Sequence, residues 1–449
     1  MLGYIFLLLS HVISQEIEHA IIYGSTEGLG YYYVDIWVGT PAVKQTVIVD
    51  TGSRLTAFPC AGCENCGQHM DSYFDYSKSK TASLVSCEEA VCSSCNDQKC
   101  GYSLSYAEGS SISGFLIEDF VTFGDDFEHS KAVPLKFGCH KRETNFFRTQ
   151  KADGIMGLAF PKSKTPSIVD MLYRSRDISA DIFAICFGKE DGYMTIGGYN
   201  ASLHLTPIKW ATLYDDALYS VSLRGVIVGG VAVNLNSKEN SKPNSIVDSG
   251  TTYTVFTSSI YDQLWSTIED ICEGEEFCDG EEKHIAGEDN ACYVYDHKKY
   301  QDIYDFFETF PIITLLIDNI NVDWMPEYYL SAWPDHPNVY CIGIYSGAEN
   351  ILGSNFMRGH DIVFDRKTDQ IGFAASDCNP IYVHGNSRTI HEKYPSSRVI
   401  QTSEFAYQFS ILTGIFSSLF LLLGYFGYRK IVQWKNRINK EERSEEMPA

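Results

Sequence analysis

Two short segments in different halves of the chain place an aspartate in nearly identical surroundings. Asp50 follows the apolar run VIV and precedes Thr-Gly-Ser, and Asp248 follows SIV and precedes Ser-Gly-Thr. Each segment predicts a buried strand that runs into a tight turn, with the carboxylate at the turn and a hydroxyl on either side of the glycine. Because a carboxylate beside an apolar strand is costly unless something pairs with it, we expect the two turns to meet and form one site.

A pair of facing carboxylates is suited to acid–base hydrolysis. Two carboxylates within hydrogen-bonding distance cannot both ionise easily, so one pKa falls and the other rises. The pair then holds one acid and one base at the same pH, which is what activating a water against a peptide carbonyl requires. The alternative is two unrelated turns, because Asp-x-Gly is common in ordinary turns. Two copies, each after an apolar strand, favour the shared site.

The length and composition indicate a large, mostly-β protein with more than one lobe. The 449 residues exceed the size at which a single core stops growing, so at least two lobes are expected. Strand-like runs such as YYYVDIWV and YSVSLRGVIVGGVAV dominate, with glycine turns between them. The net charge of −23 argues against nucleic acid and anionic membrane surfaces as partners, and it would attract a basic peptide.

Two apolar segments near the ends predict a secreted and membrane-anchored topology. The run MLGYIFLLLSHVIS is too short to span a bilayer and is typical of a secretory signal peptide. Residues 405–428 carry no charge, are long enough to span, and precede the basic stretch RKIVQWKNRINK, which predicts a type I orientation. A buried soluble helix is the alternative for 405–428. The predicted parts are a signal peptide at 1–15, lobes at 16–205 and 206–384, a stalk at 385–404, a membrane helix at 405–428 and a cytosolic tail at 429–449.

Fourteen cysteines behind a signal peptide imply an oxidising compartment and a framework of disulfides. Half of them crowd into an insert predicted at 60–100, where the spacings CAGCENC and CSSC could instead hold zinc, with His69 nearby. The lumenal setting favours disulfides, which would staple a loop-rich insert that is too polar to bury a core. The cysteines predicted to pair are Cys60, Cys63, Cys66, Cys87, Cys92, Cys95, Cys100, Cys139, Cys186, Cys272, Cys278, Cys292, Cys341 and Cys378.

Several further segments resemble pepsin-like aspartic proteases of the A1 type. YYYVDIWVGTPAVKQTVIVDTGS resembles the first strand and first catalytic loop of that family, and SYAEGSSISG resembles its flap hairpin. ADGIMGLAF and NILGSNFMRGHDIVFDRKTDQIGFA resemble its paired hydrophobic-hydrophobic-Gly segments, one under each catalytic loop. The resemblance covers roughly Tyr31 to Cys378. It implies a mostly-β, bilobal pepsin-like fold with an internal duplication, followed here by the predicted C-terminal transmembrane helix.

The resemblance implies a role for each residue that matches the family's motifs. The dyad would activate water, a hydroxyl bridge would tie the two loops together, and two further hydroxyls would donate to the outer carboxylate oxygens. Two glycines would leave room for water, and the flap would cover the bound peptide; no metal or cofactor is implied. The dyad is Asp50 and Asp248, and the hydroxyl bridge is Thr51 and Ser249. The two further hydroxyls belong to Ser53 and Thr251, and the two glycines are Gly52 and Gly250. The flap residues are Tyr106, Glu108, Gly109 and Ser110.

Two departures from gastric-type members narrow the resemblance. Many of those enzymes carry a tryptophan seven residues after the first catalytic aspartate, hydrogen-bonded to the flap tyrosine, whereas this chain has Ala57. Cysteine-rich inserts of the kind found here occur in nepenthesin-like enzymes. Combined with the predicted anchor and the flap motif YxEGSxISG, the insert makes the chain similar to plasmepsin V and its membrane-anchored apicomplexan relatives.

The same resemblance implies a preference for arginine in the substrate. Plasmepsin V-like enzymes cut secretory proteins after Arg-x-Leu, and glutamates near the flap are held to bind the arginine. Glu108 matches the flap motif, and Asp71 in GQHMDSYF falls where a second acid is expected. Two carboxylates at a partly desolvated pocket mouth could grip a guanidinium bidentately and discriminate against Lys. The alternative is that both are ordinary surface acids.

Three further features are predicted outside the dyad and the flap. The acidic stretch 269–289 contains Cys272 and Cys278 and predicts a disulfide-pinned, solvated loop, with a calcium or partner site as the alternative. Asn200 in Asn-Ala-Ser matches a glycan-acceptor motif. Cys139 is expected to bridge to the cysteine-rich insert, although it could be a reactive thiol next to His140.

The sequence as a whole predicts a type I membrane-anchored aspartic endopeptidase that processes polypeptides in the endoplasmic reticulum or Golgi. Polypeptide substrates and the membrane are its expected partners, and no metal, cofactor or nucleic acid is expected. The first alternative is a general or cell-surface, secretase-like protease. The second is a catalytically silent receptor that uses the cleft only to bind peptide.

Overall fold

The computed structural model describes residues 17–379, except 93, 129, 161–164, 216, 234, 236–242, 275–276, 286–287, 289 and 334–335. The predicted signal peptide, stalk, membrane helix and cytosolic tail therefore lie outside the described residues. Within them, no helix is both long enough and apolar enough to cross a bilayer.

Strands dominate the described residues, as the sequence predicts. In chain order the strands are β1 Glu18–Ser25, β2 Tyr31–Val38, β3 Val43–Asp50, β4 Ala57–Pro59, β5 Ser83–Leu84, β6 Ser94–Asn96, β7 Lys99–Ser105, β8 Ser111–Phe123, β9 Ala132–Glu143, β10 Gly154–Gly157, β11 Ile182–Phe187, β12 Asp191–Ile196, β13 Lys209–Thr212, β14 Tyr214–Asp215, β15 Tyr219–Val221, β16 Leu223–Val228, β17 Val231–Val233, β18 Ser245–Val247, β19 Thr254–Thr257, β20 Glu281–Glu282, β21 Cys292–Val294, β22 Ile313–Ile317, β23 Ile320–Trp324, β24 Leu330–Trp333, β25 His336–Ile342, β26 Ile344–Gly347, β27 Asn350–Leu352, β28 His360–Asp365 and β29 Gln370–Ala375.

The helices are short and connect the strands. They are α1 Phe146–Thr149, α2 Ile168–Ser175, α3 Ser258–Cys272, α4 Ile303–Phe307, α5 Pro326–Tyr329 and α6 Ser354–Met357, with a 3₁₀ turn at Ala201–Leu203. Only α3 is long, and it buries Ile260, Leu264 and Ile268, which recur every four residues along one face. The remaining fold is therefore set by strand pairing.

The two halves of the chain build the same strand arrangement around their catalytic loops. In the first half β3 pairs in parallel with β10, β10 pairs antiparallel with β4, and β4 pairs in parallel with β9. In the second half β18, β27, β19 and β26 repeat this order and these directions. Parallel strands covered on both faces form continuous apolar runs, which is why VIV precedes Asp50. The matched pairings confirm the mostly-β, duplicated fold.

The largest sheet draws strands from both halves of the chain. Its order is β13-β29-β28-β11-β12-β1-β2-β3-β10-β4-β9-β8-β7-β6, with β5 beside β8. Strands from beyond residue 206 thus pair with strands from before it, and the disulfide Cys186–Cys378 links the same region. The lobe boundary at 205/206 stays a prediction. A six-stranded sheet, β14-β15-β18-β27-β19-β26, carries the second catalytic loop, and β17-β16-β22-β23 form a further sheet.

All fourteen cysteines are paired, so the zinc alternative for the insert does not hold. Cys139 at the buried part of β9 bridges to Cys60 at the start of the insert, as expected. The cysteines of CAGCENC and CSSC are therefore consumed by sulfur–sulfur bonds rather than by metal. The complete pairing is Cys60–Cys139, Cys63–Cys66, Cys87–Cys95, Cys92–Cys100, Cys186–Cys378, Cys272–Cys278 and Cys292–Cys341.

Contacts divide the chain into two compact units, and the smaller one is a separate small sheet. Its described parts fall within Gly280–Asp296 and Ala332–Cys341. The sheet order is β20-β21-β25-β24, and the disulfide Cys292–Cys341 joins two residues that are direct partners across β21 and β25. Ile285 and Val339 pack against this disulfide.

The acidic stretch 269–289 is more ordered than the solvated loop predicted for it. Its first residues complete α3, its Cys272–Cys278 disulfide is present as expected, and residues 281–282 form β20. Glu288 is buried. The predicted disulfide is therefore present and most of the described residues of the stretch are not buried, but its first residues belong to α3 and residues 281–282 form a strand rather than a loop.

Asn200, the predicted glycan acceptor, caps the 3₁₀ turn at Ala201–Leu203. Its Oδ1 accepts hydrogen bonds from the Ser202 N–H at 3.2 Å and from the Ser202 hydroxyl at 2.6 Å. This contact fixes the side chain through its oxygen. Glycosylation of Asn200 stays a prediction.

Candidate active site

Each aspartate of the predicted catalytic pair lies at the end of a buried strand, where the chain turns into a loop. Asp50 is the last residue of β3, and Asp248 directly follows β18. The parallel neighbours hold both turns through the backbone. The Leu158 N–H donates to the Asp50 carbonyl at 2.8 Å, and the Asp248 N–H donates to the Leu352 carbonyl at 3.0 Å. Each loop is therefore held by the hydrophobic-hydrophobic-Gly segment that runs beside it.

Two hydroxyl side chains bind the loops to each other. Thr51 Oγ1 accepts from the Ser249 N–H at 2.9 Å and donates to the Val247 carbonyl at 3.0 Å. Ser249 Oγ accepts from the Thr51 N–H at 3.0 Å and donates to the Val49 carbonyl at 2.7 Å. These four buried bonds are reciprocal, so one loop cannot shift without breaking bonds made by the other.

The loop glycines allow the backbone of each loop to approach the carboxyl of the other. A Cβ added to Gly52 would lie 2.6 Å from the Asp248 carboxylate, and a Cβ added to Gly250 would lie 2.3 Å from Asp50 Oδ1. Real Cβ atoms do not approach carboxylate oxygens this closely, so only glycine fits at both positions. The structure thus brings Asp50 and Asp248 into one site.

The Asp248 carboxylate is stabilised on both of its oxygens. Oδ1 accepts from the Gly250 N–H at 2.8 Å, and Oδ2 accepts from the Thr251 hydroxyl at 2.7 Å. Hydrogen bonds donated to a carboxylate stabilise its charged form. The Thr251 hydroxyl therefore stands where the resemblance implies, on the outer oxygen of this aspartate.

The Asp50 carboxyl receives less help from its own loop. Its Oδ1 accepts from the Gly52 N–H at 2.8 Å. Ser53 occupies the position equivalent to Thr251, but its hydroxyl is buried and makes no hydrogen bond of good geometry. Asp50 therefore lacks a hydroxyl hydrogen bond with the good geometry of the one that Thr251 makes to Asp248, although Ser53 lies near it.

The surroundings of the two carboxyls favour one shared proton on Asp50. Burial, and then the neighbouring Asp248 carboxylate, raise the pKa of Asp50 well above its ordinary value, while the nearby Ser53 and Gly52 oppose the rise. The Asp50 side chain is almost fully buried, whereas Asp248 is half-buried. An acid and a base of the same residue type therefore face each other at one pH.

The flap segment SYAEGSSISG forms a β-hairpin that joins β7 to β8, with its turn at 106–110. The Tyr106 N–H donates to the Ser110 carbonyl at 2.9 Å, and the Gly109 N–H donates to the Tyr106 carbonyl at 3.0 Å. Gly109 has a φ of +90°, a left-handed conformation that a side chain would strain. Ser110 is fully buried and Glu108 is exposed, so the Glu108 carboxylate is open to a ligand.

The flap tyrosine lies close to the dyad, but its hydroxyl does not anchor it. Burial raises the pKa of Tyr106, and the carboxyls of Asp50 and Glu108 raise it further. The Tyr106 ring packs against Phe147, with ring centroids 4.9 Å apart. Its hydroxyl is buried near the Ser53 side chain but makes no hydrogen bond of good geometry, and the small, fully buried Ala57 supplies no indole. Other contacts must therefore hold the flap.

Those contacts come from the segment that follows β9, which the sequence analysis did not single out. The Asn145 side-chain amide donates to the Gly109 carbonyl at 2.8 Å, and the Phe146 N–H donates to the Ser110 hydroxyl at 3.2 Å. Asn145 has a φ of +48°. The run RETNFFRTQ matches no motif, and an asparagine beside two aromatics was the only local signal.

Asp71, the second predicted arginine ligand, lies in a charged cluster around Lys44. Its carboxylate is 3.4 Å from the Lys44 ammonium, and its N–H donates to Asp153 at 2.9 Å. Asp35 lies 3.5 Å from the same ammonium, and its burial raises the pKa of Asp35 to about 6. The structure therefore gives Asp71 a cationic partner of its own, in contrast to the exposed Glu108.

In the parts of the chain that the structure describes, no group of three or more His, Cys, Asp or Glu side chains is arranged to hold a metal ion. His69, the predicted zinc neighbour, hydrogen-bonds to Glu143 and to the Gln150 carbonyl, both at 3.1 Å.

Residues 31–376 match the family model described as eukaryotic aspartyl protease. Aspartic protease 5 of Toxoplasma gondii is 29% identical over 438 residues, which cover 85% of this chain and 40% of that protein. Plasmepsin V of Plasmodium falciparum (isolate 3D7) is 26% identical over 464 residues, which cover 84% of this chain and 76% of that protein. Aspartyl protease family protein 1 of Arabidopsis thaliana is 26% identical over 374 residues, covering 78% and 69% respectively.

These comparisons confirm the resemblance that the motifs predict. The match contains both catalytic loops, the flap and the paired segments beneath the loops. The chain spans less than half of the length of the Toxoplasma protein and about three quarters of plasmepsin V. Similarity at this level extends over most of the described residues.

Proposed function

Because this chain belongs to the eukaryotic aspartyl protease family and is an aspartic-type endopeptidase, we propose that it processes selected proteins in the secretory pathway. The observation that carries the proposal is the reciprocal pair of loops, which holds the Asp50 and Asp248 carboxyls in one site beside an exposed acidic flap. The disulfide framework fits an oxidising compartment.

In the proposed reaction, Asp248 is the base and Asp50 is the acid. The Asp248 carboxylate accepts a proton from water as the water oxygen attacks the scissile carbonyl carbon, and Asp50 donates its proton to the carbonyl oxygen. The gem-diol then collapses. Asp248 passes its proton to the amide nitrogen, a diol hydroxyl returns a proton to Asp50, the C–N bond breaks, and the dyad regains its starting state.

The flap would hold the peptide in an extended form. The hairpin turn at 106–110 projects from β7 and β8 near the dyad, and the carbonyl and N–H groups of such a turn can pair with a peptide as an added strand. Closing the flap also excludes bulk water, which strengthens the electrostatic interactions of the dyad. Tyr106, beside Asp50, would pack against the substrate backbone.

Glu108 is proposed to select an arginine in the substrate, as in an Arg-x-Leu motif. Its carboxylate is exposed on the flap, where it can accept two hydrogen bonds from a guanidinium. Asp71 is proposed as a weaker contributor, because a substrate arginine would have to compete with Lys44 for its carboxylate. A guanidinium fits this geometry better than an ammonium, so lysine should be a poor substitute.

Cleavage of matched peptides by the full-length chain tests the selectivity. Glu108→Gln should lower kcat/KM for an arginine-bearing peptide about tenfold and leave a citrulline-bearing peptide within about twofold. Glu88→Gln, which changes another exposed acid, is the control and should change neither. Equal losses on both peptides after Glu108→Gln would exclude Glu108 as the arginine ligand.

Membrane anchoring through residues 405–428 and residence in the endoplasmic reticulum or Golgi belong to the same proposal. The charge-free stretch followed by basic residues supports a type I orientation. Protease protection of a C-terminally tagged chain in sealed microsomes tests it: the lobes should be protected and the tag digested. Cell-surface labelling of most of the protein would favour the secretase-like alternative.

A further inference from the structure

The cysteine-rich insert lies along the segment that holds the flap. The Gly67 N–H donates to Glu143 Oε2 at 3.1 Å, and the Met70 N–H donates to the Lys151 carbonyl at 2.9 Å. Between them Gly67 approaches α1 so closely that an added Cβ would lie 2.1 Å from the Arg148 carbonyl oxygen. Residues 67–70 and 143–151 therefore form one packed unit beneath the flap turn.

His69 contacts both ends of this segment. Its Nε2 lies 3.1 Å from Glu143 Oε2, and its Nδ1 lies 3.1 Å from the Gln150 carbonyl oxygen. The residues between these two ends include Asn145 and Phe146, which make the hydrogen bonds to the flap turn. The His69 imidazole thus holds both ends of the segment 143–150, and the middle of that segment makes the hydrogen bonds to the flap turn.

Both partners of His69 can only accept a hydrogen bond when Glu143 is ionised. A carbonyl oxygen and a carboxylate have no proton to give, so both ring nitrogens must donate to make both bonds. A neutral imidazole has one donor, whereas an imidazolium has two. We call the two hydrogen bonds that His69 makes to Glu143 and to the Gln150 carbonyl the His69 clamp. Both bonds can form together only when His69 is protonated.

We propose that His69 is a positioning residue that sets the flap over the dyad, and that it does so fully only while its imidazole is protonated. The inference rests on the proposed role of the hairpin as the cover for bound peptide. It also accounts for Ala57, because a flap without the indole partner needs another anchor. That anchor lies in the insert rather than in the strand that carries Ala57.

The groups that face His69 favour this arrangement. Glu143 is almost fully buried, and although burial opposes its ionisation, hydrogen bonds from His140 and His69 hold the pKa of Glu143 at about 2. Burial opposes the charge of His69 as well, but Glu143, and more weakly Asp153, raise the pKa of His69 above its ordinary value. Tyr73 faces the ring from the insert, at a centroid distance of 6.2 Å.

His140 is the second histidine on Glu143, and it plays a different part. Its Nδ1 lies 2.7 Å from Glu143 Oε1, and burial lowers the pKa of His140. Its Nε2 is buried without a hydrogen-bond partner, so the burial of this ring disfavours a charge on His140 rather than on His69. The His140 ring also meets Phe147 edge-on at 6.1 Å, and Phe147 packs against Tyr106. The network thus reaches the flap tyrosine through aromatic contacts.

The pH dependence of the clamp follows from the raised pKa of His69. The stabilisation is complete below the ordinary pKa of a histidine and is lost as the pH rises through the folded-state value. Above that value one of the two bonds disappears. The flap should therefore be held most firmly below the ordinary pKa of histidine and should loosen once the pH exceeds the raised pKa of His69.

Hydrogen exchange of the flap in the full-length chain tests the clamp without relying on activity. After correction for intrinsic exchange rates, peptides covering 102–113 should exchange about fivefold faster at about pH 8.5 than at about pH 5.5. His69→Gln should exchange fast at both pH values, because its amide cannot supply two such donors. A flap that exchanges equally in the two proteins at both pH values would overturn the proposal.

His204→Gln is the matched control. His204 Nε2 lies 2.8 Å from Oδ2 of buried Asp361. The pair is therefore a similarly buried histidine–carboxylate contact away from the flap. This variant should lose stability while its flap exchange keeps the wild-type pH dependence. If His204→Gln alters the flap as much as His69→Gln does, the effect is general destabilisation and the proposal fails.

Kinetics separate positioning from loss of folding. His69→Gln should raise KM for a peptide about threefold to tenfold with a smaller change in kcat, because the dyad itself is untouched. Glu143→Gln keeps the shape but removes the charge that favours protonated His69, so its flap should loosen at lower pH than the wild type. Should the full-length wild type cleave no peptide at all, the proposed function would fail, while the exchange result would still decide the clamp.

Discussion

The loops of Asp50 and Asp248 have almost the same sequence and are both held by neighbouring strands, yet the surroundings of their carboxyls differ. Asp248 is half-buried and accepts hydrogen bonds on both oxygens, from Gly250 and Thr251. Asp50 is almost fully buried and accepts one hydrogen bond of good geometry, from Gly52. The duplication therefore supplies two equivalent groups, and their different surroundings are the basis for proposing one as the acid and the other as the base.

The difference between the loops lies outside the repeated motif. The flap tyrosine lies near Asp50, and burial is the main cause that raises the pKa of that carboxyl. Ser53 and Thr251 are chemically similar, but only the Thr251 hydroxyl reaches its aspartate with good geometry. A duplicated sequence can thus produce an asymmetric site when a single hairpin covers one half of it.

The largest expected effect is the loss of either carboxyl. Asp50→Asn and Asp248→Asn should each lower kcat by at least about a thousandfold, because the reaction needs the acid and the base together. Peptide cleavage by the purified full-length variants measures this, with thermal unfolding as the control for folding. A variant that keeps a tenth of the wild-type rate would show that the two loops do not form one dyad.

A smaller effect should separate the two hydroxyls. Thr251→Ala removes a hydrogen bond of 2.7 Å to the ionised Asp248, which should lower kcat about tenfold or more. Ser53→Ala removes a hydroxyl without a good partner and should cost no more than about threefold. Steady-state kinetics of both variants with one peptide decide the comparison. A larger loss in Ser53→Ala than in Thr251→Ala would reverse it.

The smallest effect concerns stability. Because the pKa of Asp50 is raised in the folded protein, the folded state binds more protons than the unfolded state between the two pKa values, so stability falls as the pH rises through that window. Asp50→Asn removes this penalty and should raise the free energy of unfolding by on the order of 1 kcal/mol at neutral pH. The gain should vanish near pH 4, below which Asp50 is protonated in both states.

The comparison for stability is Asp248→Asn. An asparagine cannot accept from both Gly250 and Thr251 through carboxylate oxygens, so its gain at neutral pH should be smaller than that of Asp50→Asn. Thermal unfolding at two pH values measures both variants. A pH-independent gain in Asp50→Asn would contradict the raised pKa.

The sequence alone predicts the two loops that carry Asp50 and Asp248, because their motif occurs twice in the chain. The strand–Asp–hydroxyl–Gly pattern repeats, so the meeting of Asp50 and Asp248 and the bilobal fold follow from periodicity and duplication. The cysteine count predicts full pairing because an oxidising compartment leaves few alternatives. Local patterns of this kind are set by neighbours in the chain.

Contacts between distant single residues are less accessible from the sequence. Asn145 and Glu143 match no motif, and the sequence marks His69 only as a neighbour of the cysteines; their contacts with one another and with the flap arise because the residues after β9 run alongside the insert. Asp71 shows the converse case. Its motif predicts a substrate ligand, but folding places Lys44 beside it. Single polar contacts of long sequence separation depend on tertiary packing, which one sequence does not encode locally.

The pH dependence of kcat/KM for a neutral peptide tests the acid–base division most directly. We expect the rate to fall about tenfold per pH unit on the alkaline side as Asp50 loses the shared proton. His69→Gln should show the same fall of kcat/KM per pH unit on the alkaline side. That result would assign the fall to the dyad rather than to the His69 clamp. A rate that stays level or rises up to about pH 9 would show that no acidic proton is needed and would contradict the account.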